Sequence, residues 1–113
     1  MKTLFSIIVC LLFLQSCVTK NKQDILGPSA CDTSNITFSN TIQPMAIKYC
    51  TSCHGGASPS GNISLEGYDN INYYATDCYN SMLSGSMPQS APRVDDCTIR
   101  KFKMWIDAGK PNN

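Results

Sequence analysis

One short stretch of the chain, NTIQPMAIKYCTSCHGG (residues 40–56), holds three side chains that can bind a metal or undergo redox chemistry. Cys50 and Cys53 form a Cys-x-x-Cys pair, and His54, the only histidine in the sequence, follows directly. Cys-x-x-Cys-His is the signature of covalent c-type haem attachment. Thiols at this spacing reach the two vinyl groups on one edge of the porphyrin, and the adjacent histidine binds the iron. The motif therefore predicts one covalent haem c with His54 as an iron ligand.

Two other chemistries are possible for the same residues. A structural zinc site needs four ligands, whereas Cys50, Cys53 and His54 supply three and no second ligand pair follows at finger spacing. A redox dithiol is expected between a strand and a helix, as in thioredoxin-like folds, and the sequence indicates no such strand. Haem attachment is therefore the preferred interpretation, with zinc and dithiol chemistry as alternatives.

Haem iron bound by a histidine needs a second axial ligand or an open site. Because the chain has no second histidine, methionine is the other common ligand. Met82 and Met104 lie in predicted helices, where a packing role is expected. Met87 lies in the loop GSMPQ, and Pro88 restricts it to an extended backbone that suits a thioether facing a metal. Met87 is the predicted second ligand.

The amino-terminal segment indicates export. Its apolar run, residues 4–14, is too short for a permanent membrane span and fits the apolar region of a signal peptide. The run leads into Leu-Gln-Ser-Cys at residues 14–17, which resembles a bacterial lipobox. We therefore expect cleavage before Cys17 and its lipidation; an ordinary cleaved signal with an incidental cysteine is the alternative.

This interpretation divides the chain into three parts. Residues 1–16 are the signal peptide, residues 17–30 form a polar flexible tether, and residues 31–113 are one folded domain. The lipid chains would anchor the protein to a membrane, on its periplasmic side or at its surface. Because the residue directly after Cys17 is Val18 and not an aspartate, the outer membrane is favoured.

The charge balance argues against nucleic acid as a partner. The chain has nine Lys and Arg against eight Asp and Glu, and Lys2 is the only charge in the signal peptide, so the mature form is formally neutral. A basic cluster near the carboxyl end is expected to be a solvated face, and the alternative is that it steers an acidic redox partner. Its members are Arg100, Lys101, Lys103 and Lys110.

A domain this small needs a cofactor or disulfides to supplement its core. Removal of the signal peptide, which contains Cys10, leaves six cysteines in the mature chain. If Cys17 is lipidated and the haem motif uses two more, three remain. Our preferred disulfide joins Cys31 to Cys97, because each precedes a predicted terminal helix. Cys78 is then left over, as a buried thiol, an alternative partner or an intermolecular link.

Three segments show helical patterns, and no segment predicts a strand. The first covers 41–50, with Asn40 and Gln43 as a capping box and Pro44 in the first turn. A middle helix is expected around 69–83. The last covers 97–108, capped by an aspartate at its start and ended by glycine and proline. The apolar stripes of the outer helices are Ile42, Met45, Ala46 and Tyr49 in the first, and Ile99, Phe102, Trp105 and Ile106 in the last. The predicted fold class is all-α.

These features together resemble the small monohaem cytochrome c domains of bacterial lipoproteins and planctomycete-type modules. The resemblance covers about residues 31–113 and depends on the Cys-x-x-Cys-His motif, the Met87-Pro88 pair and the closing WIDAG. It implies that the first and last helices pack beside the haem. It also implies that Leu65 and Tyr68 line the haem pocket. Trp105 could face the porphyrin or pack against the first helix.

The resulting functional prediction is a lipid-anchored electron carrier that cycles between Fe(III) and Fe(II) and exchanges electrons with redox proteins, not an enzyme. If Met87 does not bind iron, a five-coordinate haem enzyme resembling a peroxidase or reductase is the alternative, with Arg93 as the only loop arginine that could polarise a peroxide. A haem-based sensor of redox state or of a gas is the other alternative.

Overall fold

A computed structural model describes residues 31–113 of the chain. The predicted signal peptide, the lipidation site Cys17 and the tether over 17–30 lie outside the described residues. Within the described part, Asp32–Asn113 forms a compact unit, and no helix there is long and apolar enough to cross a membrane.

Helices and loops make up the whole of the described part, which contains no strand, so the all-α prediction is confirmed for residues 31–113. In chain order the elements are a π-helical turn (Phe38–Ile42), α1 (Gln43–Tyr49), a 3-10 turn (Ser60–Asn62), α2 (Gly67–Tyr73), α3 (Ala75–Ser84) and α4 (Asp96–Asp107).

The first helical segment begins earlier than the sequence predicted. Thr37, and not Asn40, is the cap residue: its hydroxyl accepts a hydrogen bond from the Asn40 N–H at 3.1 Å. The segment opens with a wide π-helical turn, in which the Thr37 carbonyl accepts from both Thr41 N and Ile42 N. Pro44, which has no N–H to donate and disfavours a regular helix before it, lies at the start of the α-helix that follows this wide turn.

The single helix predicted around 69–83 is wrong, because the chain forms two helices there. They meet at Tyr74, whose backbone (φ −92°, ψ 9°) leaves the helical region. The ring of Tyr74 packs edge-on against that of Tyr73, with centroids 4.8 Å apart. The second helix, α3, then ends at Gly85, which has the left-handed φ of 76° that favours glycine.

The last helix matches its prediction closely. Asp95 caps α4 by accepting a hydrogen bond from Thr98 N at 2.9 Å, and the Thr98 hydroxyl donates to the same carboxylate at 2.7 Å. The predicted stripe faces the core: Ile99, Phe102 and Trp105 are buried.

The core joins the first helical turn to the last helix through aromatic rings. Trp105, 1% exposed, stacks on Phe102 at 5.7 Å and lies 6.0 Å from Phe38, between ring centroids. Tyr68 of α2 packs edge-on against Phe38 at 5.2 Å. Ile42, Met45 and Ala46 of the first segment are buried in the same cluster, so both predicted apolar stripes contribute to one core.

Residues after α4 fasten this arrangement by hydrogen bonds. The Trp105 indole donates to Pro111 O at 2.9 Å, and the Tyr68 hydroxyl donates to Lys110 O at 2.8 Å. Asn113 accepts from Phe38 N through its side-chain oxygen and from Ser39 N through its backbone oxygen, each at 2.9 Å. These last residues therefore satisfy donors at the start of the first helical turn, which have no partner within the helix.

Cys31 and Cys97 are both disulfide-bonded, as expected, and the pairing of one with the other stays a prediction. Such a bond would tie the start of the domain to the first turn of α4.

We predict that the Cys31→Ser, Cys97→Ser double variant loses about 4 kcal/mol of unfolding free energy, because a disulfide that closes so long a loop restricts the unfolded chain. Urea unfolding measures this loss, and dithiothreitol should shift the unchanged protein to the midpoint of the variant. Peptide mapping that linked Cys31 to any other cysteine would contradict the pairing.

The cap of α4 gives a pH-dependent prediction. Hydrogen bonds from the backbone and then the hydroxyl of Thr98 hold the pKa of Asp95 below its ordinary value of 3.8. We expect Asp95→Ala to lower the unfolding free energy by about 1 kcal/mol at pH 7 and Asp95→Asn to cost less.

A lowered folded-state pKa means that this stabilisation is present above the unfolded-state pKa and is lost as pH falls through the folded-state value. The difference in unfolding free energy between the unchanged protein and Asp95→Ala should therefore become smaller below pH 3.8. Urea unfolding at pH 7 and pH 3 measures this difference at each pH. The same difference at both pH values would contradict the role of the carboxylate.

Candidate functional site

The Cys-x-x-Cys-His motif continues directly from the end of α1. Cys50 N donates to Ala46 O at 2.8 Å, which extends the helical hydrogen bonding by one residue. The Cys50 carbonyl then accepts from Cys53 N at 3.1 Å and from His54 N at 2.8 Å. The motif is thus one tight turn whose start is fixed by a helix packed into the core.

A hydrogen bond orients the His54 ring. Its Nδ1 lies 3.1 Å from the carbonyl oxygen of Ile63. A carbonyl oxygen can only accept, so in the neutral imidazole this contact favours the tautomer with the proton on Nδ1 and the lone pair on Nε2. Histidine ligands of metals are typically held in this way, with one ring nitrogen donating to a fixed acceptor and the other free to coordinate.

The segment after the motif folds back on His54. Leu65 N donates to the His54 carbonyl at 2.7 Å, and Ser60 N donates to the Cys53 carbonyl at 2.8 Å. Backbone bonds thus join the motif to residues 60–65, and the same segment supplies the Ile63 carbonyl. His54 is held through both its backbone and its ring.

Gly55 makes this close return possible. A Cβ atom at this position would lie 2.5 Å from the carbonyl oxygen of Thr51 and 2.9 Å from a carboxylate oxygen of Glu66. Cβ atoms in real structures essentially never approach another atom this closely. A side chain at position 55 would therefore force the backbone at Thr51 to shift. The glycine after His54 is therefore required for space.

Both thiols of the motif are free, and their environments differ. Cys50 is half-buried and Cys53 is exposed. Burial raises the pKa of the Cys50 thiol to about 11, so it is protonated at neutral pH. A reactive dithiol instead needs a thiolate stabilised by a lowered pKa. The dithiol alternative therefore gains no support at Cys50.

The remaining free thiol, Cys78 of α3, is half-buried. Burial, followed by the neighbouring Cys50 thiol, raises the pKa of Cys78 to about 12. Both cysteines pack against the same core cluster. Within residues 31–113 Cys78 is thus a free, partly buried thiol, and an intermolecular link through it stays a prediction.

The zinc alternative gains no ligand set from the fold. Across residues 31–113, no group of three or more His, Cys, Asp or Glu side chains is placed to hold a metal ion. Cys50, Cys53 and His54 adjoin in sequence without converging on one point.

Met87 lies in the loop between α3 and α4, as the sequence predicted, and is half-buried. Its N–H donates to the carbonyl of Ser81 in α3 at 3.2 Å, and its bond to Pro88 is cis. No hydrogen bond within residues 31–113 joins Met87 to His54. The sequence predicted packing roles for the other two candidate methionines. Met82 is buried in the core, which confirms its packing role, whereas Met104 is 41% exposed, so its predicted packing role is wrong.

The remaining candidate residues fall into two places. Leu65 is buried and adjoins His54 through the backbone bond described above. Tyr68 and Trp105 lie together, with ring centroids 6.4 Å apart. Trp105 packs with Phe38 of the first helical turn and with Phe102, and its role towards a haem stays a prediction. The role of Leu65 and Tyr68 towards a haem stays a prediction.

A cavity of about 290 Å³ lies between the first helical segment and α4. Its floor includes Ile42, Met45 and Phe102, and Lys48 and Lys101 are among its other lining residues. It is lined by none of Cys50, Cys53, His54 or Met87, so it is separate from the candidate ligands.

Sequence reasoning missed the residues that orient the candidate ligands. Ile63 acts through its backbone carbonyl, a group that every residue has and that the residue type therefore does not reveal. The sequence offers an indirect signal, because glycine and asparagine are residue types that often mark a sharp turn. In the structure Gly61 and Asn62 adopt left-handed φ angles of 64° and 57°. Ser81 and Arg93, which hold the loop of Met87, were not assigned such a role either.

Comparison with known proteins leaves the family open. The chain matches no known family, and no curated protein or solved structure shows detectable similarity to it. The resemblance to small cytochrome c domains therefore stays a prediction.

Gly55→Ala tests the close return of the chain at His54. We expect it to lower the unfolding free energy by about 1–3 kcal/mol, because the new methyl group displaces the Thr51 carbonyl. Urea unfolding measures the loss. The exposed Ser58→Ala, in the same loop, is the matched control and should stay near the unchanged protein. If Gly55→Ala had the same unfolding free energy as the unchanged protein, the close contact with the Thr51 carbonyl would be contradicted.

Proposed function

We propose that this protein is an electron carrier with one haem c, attached through Cys50 and Cys53, with His54 and Met87 as axial ligands of the iron. The observation that carries the proposal is the hydrogen bond from His54 Nδ1 to Ile63 O, in a histidine that directly follows two free thiols of a Cys-x-x-Cys pair.

The residues present fit covalent haem attachment. Cys50 and Cys53 are free thiols, which is the state needed to add across two vinyl groups. His54 has its Nε2 lone pair available, because Nδ1 donates to a carbonyl. A neutral imidazole is the form that binds iron.

A bound haem would supply a one-electron couple, and the chain would hold the groups that surround it. Backbone atoms hold both the ring and the main chain of His54, which would limit its rearrangement between the oxidation states of a bound haem. A thioether as second ligand raises the reduction potential relative to a second histidine. If His54 and Met87 both bound the iron, no site would be left for oxygen or peroxide, which would favour electron transfer over catalysis.

Under this proposal the protein acts at a membrane, held there by a lipidated Cys17, and exchanges electrons with protein partners. The basic residues of α4 and the segment after it would offer a surface for an acidic partner. Lys110 contributes to packing as well, since its Nζ donates to Asn72 O at 3.1 Å.

The test is production of the full chain in cells that attach haem c, followed by mass spectrometry and optical spectroscopy. We expect a mass increase equal to one haem and, in the oxidised protein, the weak near-infrared methionine–iron band. Cys50→Ala and Cys53→Ala should each reduce covalent attachment, and Cys78→Ala, the matched control, should leave the haem content unchanged.

The second ligand is tested separately. Met87→Ala should abolish the near-infrared band and allow carbon monoxide to bind, whereas the exposed Met104→Ala should keep the band. Covalent haem without the band in the unchanged protein would favour an open-site enzyme or sensor, and absence of haem would overturn the proposal.

A further inference from the structure

The loop that carries Met87, residues 85–95, is fastened at both ends by one side chain. Arg93 donates from Nη1 to Asp96 Oδ1 of α4 at 2.7 Å and from Nε to Leu83 O of α3 at 3.4 Å. The aliphatic part of the same side chain lies along Gly85, where a Cβ atom would be 3.5 Å from Arg93 Cδ. Arg93 therefore links the end of α3 to the start of α4 across the base of the loop.

The carbonyl of Ser81 holds the start of this loop. It accepts hydrogen bonds from Met87 N at 3.2 Å, Ser86 Oγ at 3.3 Å and Ser84 Oγ at 3.2 Å. The backbone of Met87 is thereby tied to the last turn of α3. Movement of α3 relative to α4 would carry Met87 with it.

Arg93 is not held in place by burial. Its side chain is 41% exposed and that of Asp96 is 83% exposed, while the adjacent Val94 is buried in the core at 1%. Val94 anchors one side of the loop through packing, and the guanidinium closes the other side through polar contacts. A planar guanidinium can make both contacts at once, which an amide or an ammonium cannot do in the same geometry.

We propose that Arg93 is the positioning residue of Met87: it closes the loop 85–95 and so sets how readily an external ligand displaces the thioether. This inference rests on the proposed function, because it assigns Arg93 a part in retaining the second ligand of the iron. It replaces the alternative in which the only loop arginine polarises a peroxide, since both polar contacts of Arg93 are directed at the helix ends.

The test compares Arg93→Gln with Arg100→Gln, an exposed arginine of α4 that serves as the matched control, in the full-length haem protein. Imidazole, the probe ligand, is titrated while the near-infrared band is followed. Because exposed ion pairs are weak, we expect Arg93→Gln to bind imidazole about three- to fivefold more tightly. In this titration, which contains no protein partner, Arg100→Gln should bind imidazole with the affinity of the unchanged protein.

Hydrogen exchange gives a second measurement that does not depend on the haem. Amides of residues 85–92 should exchange about three- to fivefold faster in Arg93→Gln, with α1 and α4 unchanged, since only the loop is released. Asp96→Asn should give part of the same effect and add nothing in the Arg93→Gln background, as expected for two groups acting through one contact.

The outcomes separate the inference from the proposed function. If the unchanged protein shows the methionine–iron band but Arg93→Gln alters neither imidazole affinity nor loop exchange, the role of Arg93 is wrong and the electron carrier stands. A general increase in exchange across all helices would overturn the positioning role in favour of overall stability. If the unchanged protein lacks the band, Met87 ligation and the role of Arg93 both fail.

Discussion

The contact between the last helix and the first helical turn is the constraint on which the rest of this domain depends. Trp105 brings Phe38 and Phe102 together at the centre of the core, to which residues 31–113 contribute a dozen buried apolar side chains. In so small a core each large ring contributes a considerable share of the buried surface. The residues after α4 add hydrogen bonds to the same place, so that Asn113 fixes the point at which the first helical turn begins.

The candidate site follows from that contact by short steps. The first helical turn sets the direction of α1, and α1 ends where Cys50 begins the motif. From there the bonds that hold His54 come from backbone atoms, namely the Ile63 carbonyl and the Leu65 amide. Backbone acceptors and donors move only when the chain moves, so the orientation of the ring depends on the fold and little on the rotamers of its neighbours.

The sequence predicted those parts of the fold whose causes are local. The last helix has its cap, Asp95, and its apolar stripe within a dozen residues, and its bounds were nearly correct. The start of the first helix was missed because Thr37 caps a π-helical turn, whose spacing differs from that of the pattern used. The break at Tyr74 was missed because no proline or glycine marks it, and the two tyrosine rings packed there resemble helix side chains in the sequence.

The site was predictable in its residue types and less so in its supports. Spacing alone proposes Cys50, Cys53 and His54 as site residues. The lack of a second histidine, together with a place in a loop directly before Pro88, proposes Met87, and all four roles stay predictions. The groups that orient them do not, because a carbonyl such as that of Ile63 has no identity in the sequence. Arg93 was noted only as the one loop arginine, since its two contacts lie on different helices and depend on how α3 and α4 pack.

The two proposed iron ligands are held by different kinds of contact, and this difference bears on function. Backbone hydrogen bonds hold His54 through its ring and its main chain. The adjacent Gly55 has no room for a larger side chain. Met87 lies in a loop whose closure depends on exposed contacts of Arg93, which solvent weakens. The histidine side would therefore keep its geometry during oxidation and reduction, which an electron carrier requires. Any exchange of ligands would take place on the methionine side, where the polar contacts are weak enough for another ligand to compete. An electron carrier and a ligand-responsive haem protein could thus share this fold, and the strength with which the loop of Met87 is closed would decide between them.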